Sequence, residues 1–234
     1  MMRKVRFAEG EYYHVYNRGV EKREIFLTQS GYERFLFLLF ACNESRPLAN
    51  AGFYLRYYGG LASIERYERK GEALVDIVCF CLMPNHYHLL LRERVTGGIS
   101  AFMQKLGTAY TMFFNTKYER SGSLFQGTFK AVHVDHQEYL SHLTQYIHLN
   151  PVELREPRWK ENGILNWEDT YTFVKNYPWS SYGNFLGHAR FAQILTTTLL
   201  PELYGDMHPH ESLMQEWLKK EKSFLLQKDI TMEA

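Results

Sequence analysis

Cysteine is scarce in this sequence, and no hydrophobic run is long. The three cysteines, Cys42, Cys79 and Cys81, make an odd count without zinc-type spacing, so a disulfide framework is not expected. The longest apolar run, residues 35–42, is far too short to cross a bilayer. The amino terminus is basic but lacks the apolar stretch of a secretory signal. These absences predict a cytoplasmic protein that does not interact with a membrane.

A strong excess of charge of either sign is also missing, because the formal net charge is +1 over 234 residues. The charge is nevertheless unevenly distributed. Residues 92–135 carry six basic and three acidic side chains, whereas residues 202–234 carry four basic and seven acidic ones. A basic middle with an acidic tail is compatible with a core that faces phosphate.

The apolar pattern alternates between strand and helix periods along the first 150 residues. Strands are predicted at residues 11–17, 75–82, 86–92 and 129–134, and helices at 28–42, from Gly98 for about five turns, and at 135–150. Asp135 and Glu138 form a capping-box pattern at the start of the last helix, and Pro151 ends it. Shorter helices are predicted near residues 63–69 and at 212–227.

The first six of these elements have the β-α-β-β-α-β order of a ferredoxin-like sandwich. This order predicts an α+β fold in which an antiparallel sheet carries helices on one face. The remaining helix, 135–150, has an apolar stripe that should dock it on the sheet. We predict one core at residues 1–158, with an aromatic and helical extension at 159–234 packed on it.

Two histidines, His86 and His88, flank Tyr87 in the third strand. Side chains alternate along a strand, so both imidazoles face the same side, about 7 Å apart along the chain. From that separation they could converge on one metal ion. The alternative is two unrelated histidines on a solvated strand face.

The helix at 135–150 carries a second set of polar side chains. His142, Tyr146 and Asn150 lie four residues apart and share one face. Beside them runs an apolar stripe, formed by Leu140, Leu143 and Ile147. A phenol and an amide therefore lie at the edge of the buried face, where they could oppose the two histidines. A structural tyrosine at the flank of a packed helix is the alternative.

Five segments together resemble one family, the single-tyrosine transposases of the HUH nuclease type. The segment Met83-Pro84-Asn85-His86-Tyr87-His88 is similar to the family's HUH motif, and Tyr146 to Val152 to the tyrosine helix of its REP-associated branch. The other three segments match in the family's order, and they are Tyr16 to Gly19, Gly122 to Gly127 and Trp179 to Tyr182.

The resemblance implies a chemistry for these residues. Tyr146 would be the nucleophile that cuts one DNA strand and leaves a 5′-phosphotyrosine link. His86 and His88, with Asn150 as a third ligand, would hold a divalent metal, Mg or Mn. Mobile-element members of this family often have glutamine at the third position, whereas Asn150, the residue of the REP-associated branch, has a shorter reach.

The resemblance also implies a substrate, single-stranded DNA with a palindromic hairpin, and a role as monomer or homodimer at the nucleoid of a prokaryote. Candidate DNA contacts are Asn17, Arg18, Gln126 and Lys130, for which turn or cap chemistry is the alternative. Thr128 stands where the family usually has an arginine, which leaves Lys130 as the nearby cation.

Two other functions fit the same residues. One is a domesticated protein that binds hairpin DNA without moving it, and the other is an HUH replication initiator. A phosphoesterase with two His-x-Thr/Ser motifs is the weakest alternative, because His86-Tyr87-His88 has no second copy.

Overall fold

The computed structural model describes residues 5–199. Its strands are β1 (Tyr12–Arg18), β2 (Val75–Met83), β3 (His86–Glu93) and β4 (Lys130–Val134). Each lies within one or two residues of its predicted bounds. Pro84 and Asn85 form the two-residue connection between β2 and β3, where Met83 pairs with His86.

Helices occupy most of the chain between and after the strands. They are α1 (Gln29–Ala41), α2 (Ala51–Tyr57), α3 (Ala62–Arg66), α4 (Gly98–Lys117), α5 (Gln137–Leu149), α6 (Val152–Arg155), α7 (Trp159–Asn162), α8 (Trp167–Lys175) and α9 (Tyr182–Phe185), with 3-10 turns at Val20–Lys22 and Thr197–Leu199. The long predicted helices are confirmed as α1, α4 and α5. The helix predicted at 212–227 lies outside the described residues.

The four strands form one antiparallel sheet in the order β2-β3-β1-β4. This order follows from the connections. The crossover through α1 leaves a gap between β1 and β2, and β3 fills it by turning back from β2. The predicted ferredoxin-like α+β fold is confirmed.

The two faces of the sheet pack against different helices. On one face Tyr87 and Leu89 join the core formed with Phe35 of α1 and Phe102 of α4. On the other face Leu90 packs with residues of α5. Since side chains alternate along β3, His86 and His88 face α5. The apolar stripe of α5 is fully or almost fully buried there, through Leu140, Leu143 and Ile147.

The capping box predicted at Asp135 is wrong. The residue that precedes the first turn of α5 is His136, with φ −153° and ψ 154° and no side-chain cap hydrogen bond. The Asp135 carboxylate instead contacts the His136 ring. A salt-bridge geometry with the neighbouring ring therefore replaces the expected cap.

The segment after α8 covers the outer edge of β2. The Leu82 amide donates to the Trp179 carbonyl at 2.9 Å, and the Ser181 amide donates to the Phe80 carbonyl at 3.0 Å. Trp179 also stacks on Tyr32 of α1, with ring centroids 4.4 Å apart. Pairing of this kind satisfies an edge strand that would otherwise expose backbone groups. The division of the chain at residue 158 stays a prediction.

Candidate active site

The two histidines of β3 lie side by side on the α5 face. Their ring centroids are 5.0 Å apart and their planes are nearly perpendicular, at 89°. His88 is buried, whereas His86, at the end of the strand, is half-buried. One imidazole therefore belongs to the interior and the other reaches the surface.

Tyr146 of α5 lies against His88. Its ring centroid is 5.7 Å from that of His88, in an edge-on arrangement with an interplanar angle of 85°. The side chain is only 4% exposed. The docking of α5 through its apolar stripe thus brings the Tyr146 ring to His88, while the catalytic role of Tyr146 stays a prediction.

His14 of β1 joins this group, although the sequence did not mark it as a site residue. Its Nε2 lies 2.9 Å from Nδ1 of His88, and its ring centroid is 6.3 Å from that of Tyr146. Burial lowers the pKa of His14 to about 3, so this ring is neutral at ordinary pH. The strand period places His14 and Tyr16 on one face of β1, but only the pairing of β1 with β3 brings that face to His88.

The His86 ring is oriented by its neighbour. Its Nδ1 lies 2.6 Å from the Asn85 Oδ1, and the Asn85 amide nitrogen donates to the Lys22 carbonyl at 3.3 Å. That second bond fixes which end of the amide faces the ring. An amide oxygen only accepts, so Nδ1 of His86 carries the proton and Nε2 carries the lone pair that could bind a metal.

Asn150 ends α5 directly below Tyr146. Its amide nitrogen donates to the Tyr146 carbonyl at 2.9 Å and to the Ile147 carbonyl at 3.4 Å. These bonds satisfy carbonyls that lack a partner at a helix end. The amide oxygen is consequently the only side-chain atom of Asn150 that could ligate a metal.

The donor set fits a divalent ion with open positions. Two imidazoles and one amide oxygen would be completed by water or phosphate oxygens. Within residues 5–199 no group of three His, Cys, Asp or Glu side chains could hold a metal. A metal bound by His86 and His88 would therefore need further ligands of other kinds, such as an amide oxygen, water or phosphate oxygens.

The four candidate DNA contacts lie at the same end of the sheet. Arg18 pairs with His86 across β1 and β3, and its carbonyl accepts from the Gln126 amide at 3.0 Å. Asn17 is buried and donates to the Gly127 carbonyl at 3.1 Å, so it ties the loop before β4 to β1. Lys130 is exposed, with Nζ 5.9 Å from the centroid of the Tyr16 ring.

Comparison with known proteins indicates a family resemblance over part of the chain. Residues 62–150 match a family model described as Transposase IS200 like, and this range contains His86, His88, Tyr146 and Asn150. The predicted resemblance to the transposases is confirmed. The remainder of the chain lies outside that match, and no curated protein matches the chain.

The transposase resemblance extends to the fold. A solved structure described as a REP-associated tyrosine transposase bound to a REP hairpin covers 80% of this chain and 86% of its own. Its TM-score is 0.50 at 13% identity. At this identity the likeness supports the fold of a single-tyrosine transposase and carries no residue roles. No helix within residues 5–199 is long and apolar enough to cross a membrane.

Proposed function

We propose that this protein is a metal-dependent transposase that cuts and rejoins one strand of DNA at hairpin-flanked sites, with Tyr146 as nucleophile. The observation that carries the proposal is the edge-on contact between the rings of Tyr146 and His88, with centroids 5.7 Å apart. A phosphate between the phenol and the two histidines would touch both. The Tyr146 ring also lies near the ring of His14, with centroids 6.3 Å apart, so the phenol belongs to a cluster of imidazoles on this face of the sheet.

The reaction exchanges one phosphodiester for another. The phenol oxygen of Tyr146 attacks the scissile phosphorus, an O–P bond forms, and the bond from phosphorus to the 3′ oxygen breaks. The phenol proton leaves to solvent, and the departing 3′ oxygen takes up a proton. The product is a 5′-phosphotyrosine and a free 3′-hydroxyl, which can reverse the step or join another strand without an external energy source.

His86 and His88 would hold the divalent ion, Mg or Mn, and the Asn150 oxygen would be the third protein ligand. When bound, such an ion stabilises the negative charge that develops on the phosphate oxygens. The chain contributes orientation. Asn85 keeps the metal-binding lone pair of His86 on Nε2, and α5 holds the Tyr146 ring against His88.

Burial of Tyr146 gives the reaction a conformational requirement. At 4% exposure the phenol cannot meet a phosphate until the groups that cover it move or are displaced by DNA. Binding of the correct substrate would then expose the nucleophile, which limits cleavage of unrelated DNA.

The DNA substrate would be single-stranded with a palindromic hairpin, comparable to the REP hairpin that the similar transposase binds. Arg18 and Lys130 would neutralise phosphates beside the histidines, and Asn17 and Gln126 would shape or contact the same strand. We propose that the protein works in the cytoplasm on nucleoid DNA, as a monomer or homodimer.

The test is a covalent adduct. The purified full chain is incubated with Mn²⁺ and labelled single-stranded DNA that carries palindromes flanking its gene, and the mixture is analysed on a denaturing gel. We expect a protein–DNA adduct that disappears in Tyr146→Phe. Tyr139→Phe, a buried tyrosine two turns earlier on α5, is the matched control and should keep the adduct.

Two outcomes would favour other functions. Tight hairpin binding without an adduct would indicate the domesticated binding protein. Cleavage of a replication origin, with the flanking palindromes left intact, would indicate a replication initiator.

A further inference from the structure

We propose that His14 is a positioning residue that sets which nitrogen of His88 carries the proton, and thereby whether His88 can bind the metal. The inference rests on the metal site of the proposed function. It concerns a buried residue that is not one of the proposed metal ligands or DNA contacts.

The contact is buried and specific. His14 is 0% exposed, and its Nε2 lies 2.9 Å from Nδ1 of His88. The adjacent strands β1 and β3 hold both rings, which are tilted by 36° with centroids 5.1 Å apart. In the part of the chain that the structure describes, Nδ1 of His14 is buried and has no hydrogen-bond partner.

A neutral imidazole has one N–H and one lone pair, so the bond between the two rings has two forms. In the first form, His14 donates from Nε2, and the proton of His88 lies on Nε2. In the second form, His88 donates from Nδ1 to His14, and Nε2 of His88 has the lone pair. Only the second form lets Nε2 of His88 ligate a metal.

The two forms differ at Nε2 of His88 and at the other nitrogen of His14. The first leaves a buried lone pair at Nδ1, and the second leaves a buried N–H there. An unsatisfied buried N–H is the less favourable of the two. The environment of His14 therefore favours the first form, whereas metal binding at Nε2 of His88 requires the second.

A metal-ligating histidine usually donates its other N–H to a carboxylate or a carbonyl. His88 differs because its acceptor is a neutral imidazole that can itself donate. The metal-bound form consequently needs His14 as a hydrogen-bond acceptor. Without that acceptor, the His88 ring should be less well oriented and should bind the ion more weakly.

Two variants separate the hydrogen bond from the bulk of the side chain. His14→Gln keeps an amide oxygen at about the position of Nε2, whereas His14→Leu removes the acceptor. Mn²⁺ affinity is measured by calorimetry on the full chain without DNA. We expect His14→Leu to bind Mn²⁺ about 10–100-fold more weakly and His14→Gln to stay within about threefold of the unmodified protein.

His133→Leu on β4 is the control for a histidine on the same sheet. Its ring is partly exposed and pairs with Glu11, so Mn²⁺ affinity should not change. Folding of every variant is checked by thermal unfolding. His14→Leu is compared with His14→Gln only at temperatures where both are folded.

A second readout reports the proton directly. The ¹⁵N shifts of the His88 ring should indicate a proton on Nε2 without metal, and a proton on Nδ1 when Mg²⁺ is bound. A structural role for His14 would not predict this exchange.

The outcomes are distinguishable. If Mn²⁺ binds the unmodified protein and His14→Leu equally well, or if the His88 proton stays on Nε2 when metal is bound, this inference is overturned while the proposed function stands. If the unmodified protein binds no Mn²⁺, both fail. If the metal results hold and no DNA adduct forms, only the proposed function fails.

Discussion

At the scale of single residues, Asn150 has two possible roles that use different atoms. Its nitrogen holds the carbonyls at the end of α5, including that of Tyr146, and its oxygen is the proposed metal ligand. The first role would keep the helix end ordered in any protein. The second exists only if the site binds a metal, so substitutions that separate the two atoms can distinguish the roles.

Asn150→Ala removes both atoms, and Asn150→Asp keeps an oxygen while it removes the donor. Both should lower the free energy of unfolding by about 1 kcal/mol, because a buried hydrogen bond is lost. We expect Mn²⁺ affinity to fall in Asn150→Ala and to be retained in Asn150→Asp, since a carboxylate suits this ion. Denaturant unfolding and calorimetry measure the two quantities. Equal affinity in Asn150→Ala and the unmodified protein would leave Asn150 with the helix-end role alone.

Local periodicity predicted which side chains share a face, and the family resemblance then singled out His86, His88 and Tyr146 as candidate site residues. Residues two apart on a strand or four apart on a helix share a face whatever the rest of the fold does. His14 was missed because its role depends on the pairing of β1 with β3. In that register His14 lies opposite Leu90, and its ring reaches His88 diagonally. A period within one strand does not contain that information.

At the scale of elements, Ser181 connects β2, α5 and the segment after α8 through hydrogen bonds. Its hydroxyl accepts from the Phe80 amide of β2 at 2.9 Å and lies 2.9 Å from Nε2 of His148 on α5. Ser181 and His148 are both fully buried. The motif Trp179-Ser180-Ser181-Tyr182 therefore links the sheet edge to the helix that carries Tyr146.

Ser181→Ala should lower the free energy of unfolding by about 1–3 kcal/mol, because the buried Phe80 N–H loses its acceptor. The loss also removes a contact of His148, two residues from Tyr146. Chemical denaturation gives the value. Ser100→Ala, on the exposed side of α4, is the control and should change stability by less than about 0.5 kcal/mol. If Ser181→Ala and Ser100→Ala lower the free energy of unfolding equally, the stabilising role of Ser181 is contradicted.

Prediction of the elements succeeded where burial and local pattern agree. The strand β2 is buried at every position, which matches its continuous apolar sequence. The helix α2 was not predicted. None of its seven residues is fully buried, and its apolar stripe is limited to Ala51, Tyr54 and Leu55 at the edge of the core. The capping prediction at Asp135 was wrong because the chain stays extended through His136. A capping-box pattern in the sequence does not show that the helix begins one residue later.

At the scale of the whole molecule, the main core contains ionisable groups that burial keeps protonated. Burial raises the pKa of the Cys42 thiol to about 12, and it raises the pKa values of Tyr32 and Tyr67 to about 12. For Tyr67, the neighbouring Glu44 carboxylate adds to the shift. All three side chains lie in the hydrophobic core between the sheet and α1. Their protonation is therefore coupled to the integrity of that core.

These shifts predict a loss of stability at alkaline pH. The ordinary pKa values are 9.0 for the thiol and 10.0 for the phenols, and the folded values are higher. The stabilisation is thus complete below about pH 9 and is lost as pH rises toward about 12, because the unfolded chain releases its protons first. Each group can contribute up to about 1.4 kcal/mol per pH unit within its own window.

Cys42→Ala isolates one group. The free energy of unfolding is measured by denaturant titration at several pH values from about 7 to about 11. Between about pH 9 and the upper end of that range, it should fall less steeply in Cys42→Ala than in the unmodified protein, because one fewer proton is released on unfolding. Comparing slopes removes the pH-independent loss of stability that the smaller side chain causes. It also removes the alkaline effects that are common to both proteins. Parallel curves would show that the thiol titrates alike in the folded and unfolded chains, and that this part of the core is open to solvent.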